Sequence, residues 1–119
     1  MRKGGVVVEK SENFALRIVN LYKFLTIDKK EIVLSKQILR SGTSIGANIA
    51  ESTYAQSDAD FLTKLTISLK ECNETIYWLS LLYRSDYLNE NEYNSIKTDC
   101  DELLKLLISI TKSIKEKLM

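Results

Sequence analysis

Apolar residues recur along this chain at helical spacing in four blocks. In the first, from about Ser11 or a little earlier to Leu25, the residues Phe14, Ile18, Leu21 and Leu25 fall at i, i+4, i+7 and i+11 on one stripe. A short link at Thr26-Ile27-Asp28 leads to a second helix over roughly Lys30 to Thr53. The third begins after Ser57, with Asp60 three residues on as an imperfect capping box. Its seam is Leu62, Leu65, Leu69, Cys72, Ile76, Leu79 and Tyr83, spaced alternately by three and four. After a connection at Arg84-Ser85-Asp86-Tyr87-Leu88, Asn89 stands at an N-cap with Glu92 at N3. The fourth helix then repeats the seam with Tyr93, Ile96, Cys100, Leu103, Leu107, Ile110 and Ile114.

Helices three and four each span about 28 residues, or ~42 Å at 1.5 Å per residue. Long helices of equal length joined by short turns pack antiparallel. The pattern therefore predicts an all-α, up-and-down four-helix bundle, with residues 1–119 forming a single domain. Leu16 and Phe24 fall off the first stripe, and Leu104, Leu106 and Ile108 widen the fourth. These surplus apolar positions predict a homo-oligomer.

Composition sharpens this picture. The 119 residues include no proline and four glycines, as long helices require. Histidine is absent, which excludes Ser-His-Asp and Cys-His catalysis, imidazole zinc sites and histidine-dependent di-iron bundles. Cys72 and Cys100 lie 28 residues apart without a C-x-x-C partner, so they read as small buried hydrophobes in a reducing compartment. No stretch reaches the ~20 apolar residues of a membrane span, and the N-terminal apolar run is too short for a secretory signal. A cytoplasmic protein is expected.

One stretch invites a catalytic reading. Gly42-Thr43-Ser44-Ile45-Gly46 fits G-x-S-x-G, the nucleophile elbow of serine hydrolases. That elbow needs a strand before it and a histidine base. Here a helical pattern precedes it and no histidine exists. A phosphate loop fails as well, since no G-K-[ST] follows. Glycine within a helix costs roughly 0.5–1 kcal/mol against alanine, so a compensating role is required. Gly42, Gly46 and Ala50 lie four apart on one face, with Ala47 adjacent and Ile38, Ile45 and Ile49 flanking. They predict a groove where another helix approaches closely.

Beside the groove runs a polar stripe of Ser41, Ser44, Asn48 and Glu51, and helix three carries Ser68, Glu71, Thr75 and Trp78 next to its seam. Two facing polar stripes can satisfy one another across a helix pair, fixing its register. Glu51, Glu71 and Glu74 could converge on a metal, but the other helices offer no matching inward acids. No metal, cofactor or small-molecule substrate is expected.

The net charge of +1 hides an asymmetry. Residues 1–50 carry nine Lys/Arg and four Asp/Glu, or +5, and residues 51–119 carry eight and twelve, or −4. The candidates for nucleic-acid contact are Lys10, Arg17 and Lys23 on the first helix, with Lys29, Lys30, Lys36 and Arg40 leading into and along the second. The bland counterpart is a solvated helix face.

The run from Leu39 to Ser52, LRSGTSIGANIAES, resembles the signature of the four-helix-bundle proteins known as 23S rRNA intervening sequence proteins. Phe61-Leu62, the segment Ser68-Leu69-Lys70-Glu71-Cys72-Asn73-Glu74-Thr75, Trp78-Leu79 and Tyr87-Leu88 match as well. Ser52 departs from the pattern, because the family usually places glycine after the Glu, where it would end helix two. The resemblance implies a homopentameric ring of bundles without catalytic activity. Some members are encoded within insertions in 23S rRNA genes. A related accessory protein of diversity-generating retroelements binds nucleic acid and reverse transcriptase through a basic pentamer. The expectation is thus a non-catalytic interaction protein that binds structured RNA, DNA or a nucleoprotein partner through a basic face. The alternative is a protein-only scaffold that recruits another polypeptide.

Overall fold

A computed structural model describes residues 5–119. Four α-helices occupy them: α1 (Gly5–Lys23), α2 (Leu34–Ser52), α3 (Asp58–Arg84) and α4 (Glu90–Leu118). The described residues contain no strand. At 1.5 Å per residue α3 and α4 are about 40 and 44 Å long, matching the 47 Å length of a rod only 21 by 20 Å across. Each helix packs against its successor, and α1 closes the circuit more thinly on α4.

Apolar spacing produces the core as expected for α1, where Phe14, Ile18 and Leu25 are buried. From α2 the core takes Ile38, Ile45 and Ile49, and from α4 Ile96, Cys100, Leu103 and Leu107. The seam of α3 is rotated from its predicted line. Its buried residues are Phe61, Leu65, Ser68, Cys72, Thr75, Leu79 and Leu82. Leu62, Leu69, Ile76 and Tyr83 are only half-buried. The cause is that α3 packs against both α2 and α4, so its covered arc is wider than a two-helix seam and turned toward α2. Tyr83 stacks instead on Tyr93 of α4, the rings 4.6 Å apart and 8° from parallel.

The helix ends follow local chemistry. Ser57 accepts a hydrogen bond from the Asp60 amide (3.1 Å), while the Asp60 carboxylate accepts from the Gln56 amide. At α4, Asn89 and Glu92 form a reciprocal capping box, each side chain accepting from the other's amide at 2.8 Å. Lys117 and Asp58 join the far ends of α4 and α3 at 2.9 Å.

The α1–α2 connection corrects the expected start of the second helix. α2 begins at Leu34 rather than Lys30. α1 runs on through a π-helical turn at Phe24–Asp28, and Lys30 then adopts a left-handed φ of 58°. The buried Glu31 carboxylate accepts the backbone amides of Val33, Leu34 and Ser35 at 3.1, 3.0 and 2.7 Å. Its own amide donates to the Leu25 carbonyl at 2.9 Å. One acid therefore satisfies three of the four orphan donors at the start of α2.

Candidate interaction surfaces

Small residues let α1 and α2 approach each other. A Cβ added to Gly42 would lie 2.7, 2.9 and 3.0 Å from Cγ1, Cγ2 and Cδ1 of Ile18. At Gly46 it would lie 3.2 Å from the Ser11 carbonyl oxygen. The contact stops there, since Ala47 and Ala50 are exposed. The elbow-like stretch is thus continuous α2 helix: Ser44 donates to the Arg40 carbonyl of its own helix at 2.6 Å.

The two polar stripes meet in part. Thr75 donates to the Ser41 hydroxyl at 3.0 Å and Ser68 to the Ile45 carbonyl at 2.8 Å, all in the core between α2 and α3. Asn48 is not part of that exchange, because its amide donates to the Ser44 carbonyl one turn back. Glu51 is exposed. Beyond Ser44 and Asn48, the outer lip of the α2–α3 seam carries Arg40, whose guanidinium pairs with Glu74 at 3.1 Å. Glu74 also accepts the Trp78 indole N–H at 3.0 Å.

Glu71 stands apart. Its Oε1 is buried and accepts no hydrogen bond among the described residues. Burial, and then the neighbouring Glu74 carboxylate, push its carboxyl above the usual range, against a smaller pull from Arg40. The sequence placed Glu71 in the polar stripe but gave no sign that one oxygen is left without a donor.

The seven basic candidates separate into two groups. Lys10 pairs with Glu102 at 2.9 Å and Arg17 with Asp99 at 2.7 Å, both bridging α1 to α4. Arg17 also donates to the Ser95 carbonyl and hydroxyl. With Arg40 on Glu74, three of the seven are engaged by acids of the second half of the chain. Those three pairs offset part of the +5 carried by the first half. Lys23, Lys29, Lys30 and Lys36 are exposed around the α1–α2 connection, and no ion pair among the described residues involves them. Lys29 lies 5.6 Å over the Phe24 ring. Ile27, Ile32 and Val33 stand exposed between these lysines, at 62%, 58% and 68%.

Across the bundle, α1 and α4 leave a cleft of about 160 Å³ lined by Lys10, Asn13, Phe14, Asp99, Glu102 and Leu103. In the core between α3 and α4, the Cys100 thiol donates to the Cys72 carbonyl at 3.7 Å. The hydrogen bond with Cys72, and then burial, hold Cys100 far above the ordinary thiol range. Among the described residues, no helix is long and apolar enough to cross a membrane.

Residues 5–109 match the family model described as 23S rRNA-intervening sequence protein. The chain is similar to a solved structure from Bacteroides thetaiotaomicron, described as a protein of unknown function from the S23 ribosomal protein family. The two share 64% identity over 90% of this chain and 96% of that one, with a TM-score of 0.89. No curated protein matches.

Proposed function

The chain belongs to the 23S rRNA-intervening sequence protein family, and on that premise we propose that it is a non-catalytic, ring-forming interaction module which docks structured RNA or a nucleoprotein on its α1–α2 connection. The observation that carries this reading is the set Lys23, Lys29, Lys30 and Lys36, exposed and outside every ion pair among the described residues. Lysines so placed neutralise phosphates without reading bases. Glu31 ties the connection to the first turn of α2 through three hydrogen bonds, and such local order lowers the ordering cost of binding.

In this reading the helices run up and down, antiparallel. Support comes from the pairings Ile45–Ser68 and Ser41–Thr75, in which residue number falls on α2 as it rises on α3. Rings, pentameric in the family resemblance, would multiply a weak four-lysine patch by avidity. Cytoplasmic residence is part of the same proposal.

A binding titration against structured 23S rRNA fragments tests it. Affinity should fall steeply with salt, and replacing the four lysines by glutamine should flatten that dependence. Absence of binding at low salt would leave a second reading in front. In that reading the module is a protein-only scaffold, favoured by the exposed Ile27, Ile32 and Val33, and it recruits another polypeptide.

A further inference from the structure

The chain has two cysteines, 28 residues apart in sequence, and the fold brings them to one place. Cys72 on α3 and Cys100 on α4 are both free thiols and both fully buried. The Cys100 thiol donates to the Cys72 carbonyl at 3.7 Å, and the two side chains interact as a hydrogen-bonded pair. Cys72 lies near the middle of α3, 12 residues from Arg84, or about 18 Å along the helix. A bond between the sulfurs would clasp the α3–α4 seam well away from the short connection that already ties its ends. α4 depends on that seam, because α1 covers it only thinly.

We infer that Cys72 and Cys100 form a thiol–disulfide site, which a small disulfide such as oxidised glutathione converts into a covalent latch between α3 and α4. The inference does not depend on the docking reading above. In the closed seam neither sulfur reaches solvent, so exchange begins when the two helices part. One sulfur, as its thiolate, attacks the reagent, forming a mixed disulfide and expelling one thiolate. As the helices reclose, the second sulfur gives up its proton, attacks the protein sulfur of the mixed disulfide and expels the other thiolate. Two protein thiols are thereby oxidised to one disulfide, and one reagent disulfide is reduced to two thiols. The two expelled thiolates take up the two protons that the protein loses. The new bond closes the loop between residues 72 and 100, which removes freedom chiefly from the unfolded chain. By linkage, the fold favours the disulfide by the same factor by which the disulfide favours the fold. For a loop of this length that factor is about a hundredfold.

A redox titration of the wild-type chain tests this. Equilibrated in buffers of reduced and oxidised glutathione, the native chain should lose two hydrogens in mass and yield a digest fragment joining Cys72 to Cys100. Its oxidation constant should exceed that of the same chain in denaturing guanidinium by about a hundredfold. The oxidised chain should melt about 10 °C higher and exchange the amides of α4 more slowly. Cys100→Ser, with its fold checked by circular dichroism, should show neither the linkage nor the rise in melting temperature. The wild-type readings stand without that variant. Equal oxidation constants for native and denatured chains would overturn the inference. So would a linked form that melts lower than the dithiol, or products confined to mixed disulfides and cross-linked dimers.

Discussion

Gly42→Ala is the sharpest test of how α1 and α2 approach. In an isolated helix the change should stabilise by up to about 1 kcal/mol, because alanine has the higher propensity. Here the new methyl group would meet three atoms of Ile18 at 2.7–3.0 Å. Ile18 is fully buried and β-branched, and two of those atoms are attached directly to its Cβ, so no small rotation moves them aside. Overpacking of this kind costs typically about 1–3 kcal/mol. The clash is at the severe end, so a net loss of about 1–2 kcal/mol is expected. For a domain of this size that lowers Tm by roughly 3–8 °C. Urea unfolding followed by circular dichroism at 222 nm, at one fixed protein concentration, reads the change. Ile18→Ala should itself cost about 2–5 kcal/mol. In that background the obstructing atoms are gone, and Gly42→Ala should be neutral or stabilising by up to about 1 kcal/mol. If Gly42→Ala stabilises the otherwise unaltered chain, close helix approach is not why glycine stands there.

Gly46→Ala meets the Ser11 carbonyl oxygen at 3.2 Å, a milder contact, and should cost at least about 1 kcal/mol less than Gly42→Ala in the same melts. Removing the cap by Glu31→Ala leaves three amides at the start of α2 without their acceptor. It should destabilise by about 1–2 kcal/mol and speed amide exchange at Val33, Leu34 and Ser35. The Glu71 carboxyl titrates above its ordinary 4.5 in the folded protomer, for burial first and Glu74 second. The folded chain then binds this proton more readily than the unfolded one, so stability from this group falls as pH rises from about 4.5 through the raised value. Glu71→Gln should flatten that segment of the pH–stability curve, measured at concentrations where the chain is a single protomer. Replacing Lys23, Lys29, Lys30 and Lys36 by glutamine should lower the slope of log affinity against log salt by about 3 for structured RNA. An unchanged slope would mean that the phosphates bind elsewhere.

The architecture was readable because period and caps agree over long stretches. The apolar spacing of α3 and α4, with Ser57 and Asn89 ahead of them, places both helices within a residue or two. The α1–α2 connection was not readable, for a physical reason. Glu31 is a long side chain that reaches back over the first turn, and no propensity scale favours glutamate as such a cap. Lys30 can be helical in isolation and is left-handed here, one residue before the capping Glu31. The tilt of the α3 seam was missed because it depends on which two neighbours the helix acquires. Among the candidate residues, sequence separation gave no hint that Lys10 and Arg17 would reach acids 92 and 82 residues away. The positions of Gly42 and Gly46 did indicate a close approach, since mid-helix glycine has few other uses.

The thiol contact between α3 and α4 makes the chain its own stopwatch. Cys72 and Cys100 are fully buried, and Cys100 is held in its protonated, unreactive form. An alkylating reagent therefore reaches them only during the moments when these two helices part. When reclosing outpaces alkylation, the labelling rate divided by that of a free thiol gives the fraction of time spent open, and hence the free energy of opening. No dye or engineered probe is needed. The same trace, run with and without RNA, would report whether a ligand held at the α1–α2 end tightens a seam formed by the other two helices.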